Sequence, residues 1–248
     1  MDLGLTDKVF VVTAASSGLG LASAQALHAE GAKVVLVARR QEVLDELAGS
    51  LDAAVVAGDL ADPATITRAF DLAMERHGRV DGAVVSVGGP PRGGVLDISD
   101  EQWNAAFSSV FLPALRAARE LYSRNPAGRL ALVLSTSSRV PLPQMAPSNG
   151  LRPGLAVLIS QLADEVGPNG GRVMGLMPGN IATDRMTWLL SQAPDPAAAK
   201  RAAESSIPLG RMGDPAEFGR VAAFVVSDAG SYLSGSLVAV DGGQMRTF

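Results

Sequence analysis

Cysteine is absent from all 248 residues, which excludes disulfides, thiolate metal sites and a cysteine nucleophile. Histidine is almost as scarce. His28 lies in an Ala-rich helical pattern, and His77 precedes Gly78 at a helix end. Both read as solvated surface residues rather than catalysts, and no metal site is expected. A surplus of positive charge is also missing: the net charge of -4 gives no basic footprint for nucleic acid. No apolar run approaches the roughly 18 residues of a membrane span. The opening MDLGLTDKVF lacks the basic-then-apolar layout of a signal peptide, so the expected compartment is the cytoplasm. What is present, 47% hydrophobic and 19% charged residues, suits one soluble domain with a substantial core.

Short β-branched runs alternate with helical periodicity. Strands are predicted at 8–13, 33–38, 53–60, 82–87, 129–135, 172–177 and 236–243. Helices are predicted at 17–31, 41–50, 64–78, about Asp100 to Arg124, 150–167 and 215–228, with weaker patterning over 180–212. Such alternation predicts an α/β fold: a doubly wound parallel sheet with helices on both faces, in a single domain over 1–248. Ligands of these sheets bind beyond the carboxyl ends of the strands, where strand order reverses. Polar and glycine-rich text does gather just after the predicted strands.

After the first strand comes TAASSGLG, residues 13–20. A tight strand-to-helix turn ending in glycine brings backbone N–H groups to a helix N-terminus, where a pyrophosphate binds. Thr13, Ala15, Ser16, Ser17, Gly18, Leu19 and Gly20 are the candidate cofactor contacts there, with Gly18 and Gly20 supplying the close approach. The spacing differs from G-x-G-x-x-G, and a plain tight turn is the competing reading. The second strand ends in Arg39 and Arg40. A carboxylate at this point would bind a ribose 2′-hydroxyl, whereas arginine suits a 2′-phosphate. NADP(H) is therefore expected over NAD(H), against the reading of a solvated arginine pair.

TAASSGLG, GDLAD (58–62), SVGG (86–89), GNIATDRM after Pro178, and the stretch from Gly210 to Gly243 together resemble the short-chain dehydrogenase/reductase family over nearly the whole chain. The last stretch is similar to members named 3-oxoacyl-carrier-protein reductases. The resemblance implies a Rossmann-like sheet of about seven strands, a nicotinamide cofactor and a homo-oligomer, tetramer or dimer. It gives Asp59 and Leu60 to the adenine and Gly88 to a backbone approach. Pro178, Gly179, Ile181 and Thr183 fall at the nicotinamide end. Ala14 stands where the family has a glycine, tolerable at negative φ and strained at positive φ.

The catalytic positions carry over less well. By the family's spacing, its tyrosine falls on Ser148, its lysine on Arg152 and its serine on Ser135, with Ser137 as fallback in the STSS run; its asparagine falls on Val110. Tyr122 and Tyr232 lie too far along the chain to substitute. A serine hydroxyl is far less acidic than a phenol, and arginine does not relay protons as lysine does. It can still hold ribose hydroxyls or stabilise an oxyanion.

Two functions lead, ahead of a non-redox lyase on the same fold. One is an NADP(H)-dependent reductase of a carbonyl, 3-oxoacyl substrates included, in which Ser135, Ser148 and Arg152 form altered catalytic machinery. The other is a silent NADP(H)-binding sensor or scaffold, with Ser148 and Asn149 capping a helix and Arg152 a surface charge. Residues 184–208 fall where the family has a substrate lid. Met186, Trp188, Leu189 and Leu190 there suit either a hydrophobic acyl or ring substrate or plain packing. Pro90 and Pro91 would stiffen the opposite rim.

Overall fold

The computed structural model describes residues 1–246. Seven parallel strands form one sheet: β1 (Val9–Thr13), β2 (Lys33–Ala38), β3 (Ala54–Ala57), β4 (Gly82–Val85), β5 (Arg129–Val133), β6 (Arg172–Pro178) and β7 (Ser236–Val240). Their order is β3-β2-β1-β4-β5-β6-β7. The direction of winding reverses between β1 and β4, which opens a crevice above their carboxyl ends.

The sheet is covered on both faces, and so β1 reads as an unbroken apolar run rather than an alternation. Each residue of β1 is buried. Phe10 and Val12 pack toward α1 (Gly18–Ala29) and α9 (Pro215–Val226); Val9 and Val11 pack toward α3 (Pro63–His77) and α5 (Leu112–Arg124). Full burial of each such side chain contributes about 1.5–3 kcal/mol. The remaining helices are α2 (Gln41–Leu51), α4 (Asp100–Ala106), α6 (Ala146–Val166), α7 (Asp184–Ser191) and α8 (Pro196–Ser205).

Three departures from the sequence expectations affect the site. The long helix from Asp100 is interrupted by a π-helical turn, Phe107–Phe111. Pro113 has no N–H for the Ser109 carbonyl, and its ring crowds that carbonyl. The helix widens just upstream, and Leu112 N–H donates to the Phe107 carbonyl five residues back. Next, α6 begins at Ala146 rather than near Gly150. Pro153 looks like a first-turn proline in sequence, yet Pro147 fills that place and Pro153 lies inside the helix. Ser148 consequently sits in the first turn and Arg152 one turn on. Finally, the weakly patterned 180–212 stretch contains α7 and α8, neither of which has a buried residue.

Candidate active site

A cavity of about 360 Å³ lies above the carboxyl ends of β1, β4, β5 and β6. Its wall on the β1 side is Ala14 with Ser17, Gly18, Leu19 and Gly20. Gly18 has φ +56, and a Cβ at Gly20 would lie 2.4 Å from the Ala14 carbonyl oxygen. The turn can close this tightly only with glycine there. Ser17 is the N-cap residue of α1, but its side chain makes no capping bond and the first turn holds no acid. The orphan N–H groups of that turn therefore remain available to an anion.

Ala14 has φ +50. This is the positive case in which a methyl group is strained, so the turn retains its shape against an intrinsic cost of about 1–2 kcal/mol.

Two expected contacts in this loop face elsewhere. Thr13 is fully buried, and its hydroxyl donates to the Ser86 carbonyl at 2.5 Å, tying the end of β1 to the loop after β4. Ala15 is also fully buried, within the core packed by α1 and α9. Thr13 and Ala15 shape the crevice without lining it, because a strand-end residue that holds the turn has its side chain committed to the interior. Ser17, Gly18, Leu19 and Gly20 do line it.

Arg39, Arg40 and Asp59 are exposed beyond the cavity wall, at the ends of β2 and β3. Arg40 Nη2 lies 3.3 Å from Ser16 Oγ, which places a guanidinium beside the glycine turn. Asp59 Oδ1 accepts from the Ala61 N–H at 2.8 Å, and the Leu60 carbonyl accepts from Arg116 at 3.2 Å. Gly88, Pro178, Gly179, Ile181 and Thr183 all line the cavity. Thr183 also caps α7 by accepting from the Met186 N–H.

The deep wall is polar. Ser135 and Ser148 line it, and Ser137 lies directly behind Ser148, their hydroxyl oxygens 2.8 Å apart. Ser135 Oγ accepts the Ser137 N–H at 3.1 Å, closing the short turn after β5. The fallback serine, Ser137, is thus the one bonded to Ser148, while Ser135 is the one facing the cavity. Val110 is buried within the π-helical turn.

Ser148 does not cap α6. Met145 holds the N-cap position, Ser148 is 1% exposed, and Asn149 bonds the backbone of Leu142 in both directions. Arg152 is not a surface charge, being only 7% exposed. Its Nη1 donates to the Val133 carbonyl at 2.9 Å, and its Nε has no partner. Burial, and secondarily the charge of Arg185, pulls this guanidinium down to about 10, so it remains a cation at neutral pH.

The protein family described as “Enoyl-(Acyl carrier protein) reductase” matches residues 13–245. Versicolorin reductase stcU of Emericella nidulans is 32% identical, the alignment covering 98% of this chain and 97% of the relative. The chain belongs to the short-chain dehydrogenase/reductase family. “Dehydrogenase/reductase SDR family member 4” of Homo sapiens is 29% identical, covering 96% of this chain and 88% of that protein. The crystal structure of L-sorbose reductase from Gluconobacter frateurii, complexed with NADPH and L-sorbose, superposes with a TM-score of 0.95 at 29% identity and full coverage of both chains. This short-chain dehydrogenase/reductase chain is accordingly an oxidoreductase.

Several wall residues of this family member are not among the sequence candidates: Arg92, Met145, Asp184 and Arg185. Arg92 and Arg185 follow the same strand ends that yielded Gly88 and Thr183, and that position was the available signal. Of the apolar residues in α7, Met186 and Leu189 line the cavity, while Trp188 is 60% exposed. Tyr122 is far from this wall, its hydroxyl donating to the Arg172 carbonyl at 2.8 Å, and burial pushes its phenol up. His28 and His77 are half-buried in α1 and α3, outside the cavity. Among the described residues, no three His, Cys, Asp or Glu side chains converge as a metal site. Among the described residues, no helix is long and apolar enough to cross a membrane.

Proposed function

We propose that the chain is an NADPH-dependent carbonyl reductase in which Ser148 and Arg152 occupy the places its family gives to tyrosine and lysine. The observation that carries this reading is the buried Arg152 guanidinium beside the Ser137–Ser148 hydroxyl pair, on the same cavity as the glycine turn. The crevice fits the dinucleotide. The uncapped N-terminus of α1 suits a pyrophosphate, and Gly20 leaves the backbone bare where a Cβ would collide. In this reading Arg39 and Arg40 take the 2′-phosphate, Asp59 and Leu60 the adenine, and Pro178, Gly179, Ile181 and Thr183 the nicotinamide end.

When bound, NADPH supplies the hydride that a carbonyl carbon accepts. The chain's own groups handle the oxygen. Ser148, accepting from the Ser137 hydroxyl, turns its own proton into the cavity and donates to the carbonyl oxygen. Arg152 stabilises negative charge developing on that oxygen while keeping its proton. Ser135 helps orient the carbonyl. Serine is a weak acid, so the net proton is supplied by solvent at the cavity, and the loss of a stronger acid costs about 10²–10⁴-fold. Hydride proximity and orientation are retained.

Residues 184–208, with α7 and α8 burying no residue, act as a lid. Strand β7 is an edge strand with half-exposed Leu237, Val238 and Val240. It supports a homo-oligomer built through the last helix and strand.

The decisive experiment is fluorescence titration with NADPH and NADH, followed by a carbonyl panel that includes acetoacetyl thioesters. Tight NADPH binding with its oxidation on at least one carbonyl is the expected result. Tight binding without turnover on any of them would identify a sensor or scaffold instead, and no nucleotide binding would defeat both readings.

A further inference from the structure

The chain is acidic overall, yet the cavity wall is not. Three arginines line it, Arg92, Arg152 and Arg185, against one acid, Asp184. Among the described residues none of the three arginines takes part in an ion pair. Arg152 is the informative member: a buried guanidinium with one carbonyl partner and an Nε with none. A buried, uncompensated charge is costly, and folds retain one where an anion or developing anion completes it. Arg185 comes from α7 and lies across the loop after β4, where a Cβ at Gly89 would fall 1.7 Å from its Nη1. Arg92 extends the same loop. The phosphate-binding features, in contrast, are the α1 N-terminus and the Arg39–Arg40 pair on the β1–β2 side. The two positive regions therefore serve different groups.

Resting on the reductase reading above, we propose that the substrate is a short oxo acid whose carboxylate is held by Arg185 and Arg92 at the cavity mouth. Its ketone oxygen lies against Ser148 and Arg152. Guanidinium forks match a carboxylate in two parallel bonds, and the fixed charge selects the anion over a neutral analogue. The ketone takes hydride at carbon and one proton at oxygen, becoming the hydroxy acid as NADPH becomes NADP⁺. A hydrophobic acyl thioester lacks the charge that this wall recognises.

The test uses the full chain with NADPH and matched probes: acetoacetate and 2-oxobutyrate, their methyl esters, and dihydroxyacetone phosphate. The free acids are expected to exceed their esters at least tenfold in kcat/KM. Arg185→Gln should collapse that ratio through a KM increase for the acids, with the NADPH dissociation constant held within about twofold; Arg92→Gln should act in the same direction. Esters equal to acids would overturn the proposal, as would a preference for the phosphate. Loss of NADPH affinity in Arg185→Gln, in place of the acid's KM effect, would assign this arginine to the cofactor and overturn it too. Should no probe turn over, calorimetric binding of the acids but not the esters to the NADPH complex, removed by Arg185→Gln, would sustain the carboxylate site while defeating the reductase reading. Absence of acid binding would defeat the site.

Discussion

The hydroxyl oxygens of Ser137 and Ser148 lie 2.8 Å apart although eleven positions separate them in the chain. The contact joins the turn after β5 to the first turn of α6 and leaves Ser148 facing the reacting space. Ser148→Ala is expected to lower kcat about 10–100-fold with little change in KM, whereas Ser137→Ala, acting through Ser148, lowers it only a few-fold. Steady-state kinetics on the best substrate checks this. An unchanged kcat in Ser148→Ala would remove that serine from the mechanism.

The pH profile should differ from that of a tyrosine-based enzyme. Apart from Asp184, the cavity wall offers arginines and hydroxyls and no Tyr, Lys, His or Glu. Arg152 acts as a cation, and its pKa is pulled down to about 10. The rate is therefore expected to stay level from about pH 6 to 9 and to fall as Arg152 loses its proton near 10. The arithmetic sign is fixed: the protonated form is the active one, so activity declines with rising pH. A bell centred near neutrality, measured as kcat against pH, would assign the acid–base work to a group outside the Ser148–Arg152 pair, Asp184 included.

Ala14, at φ +50, adopts a conformation that glycine reaches without penalty. Ala14→Gly is expected to stabilise the fold by about 1 kcal/mol and raise Tm by roughly 2–4 °C. NADPH affinity should hold or improve, because the methyl group lies on the cavity wall. Calorimetric melting decides it, and a lower Tm in the glycine variant would show that Ala14 carries no strain.

Cofactor preference should reside at the end of β2. Arg39→Asp with Arg40→Asp is expected to weaken NADPH binding at least tenfold and to narrow or reverse the preference over NADH. Comparing both dissociation constants tests it; the same ratio as in the parent chain would place 2′-phosphate recognition elsewhere.

Much of this architecture is legible in the sequence. The strands are readable because a doubly covered sheet demands short runs such as VFVVT and KVVLVA, and the glycine turn because close backbone approach demands bare Cα positions. The start of α6 is not readable, since Pro147 and Pro153 compete for the role of first-turn proline and only packing chooses between them. Thr13 and Ala15 look like loop contacts until the buried bond from Thr13 to Ser86 and the packing of Ala15 into the core show the direction of their side chains. Arg92, in the loop after β4, and Arg185, in the first turn of α7, are isolated arginines, indistinguishable in one dimension from solvated charges. Their convergence with Arg152 depends on which strand ends the fold brings together, and no local pattern encodes it.

The widened turn at Phe107–Phe111 has a consequence for the chain's tolerance of length change. A π-turn fits one surplus residue into an α-helix while the flanking segments keep their rotational phase. Losing a single residue there keeps Ala114, Ala117 and Leu121 directed inward, with Pro113 still leaving one carbonyl unpaired. The same deletion within α5 would rotate everything beyond it by about 100°, swinging charged neighbours such as Arg119 toward the apolar layer. Within the stretch from Asp100 to Arg124, this short coil is where evolution or an engineer can shorten the polypeptide without unseating the sheet.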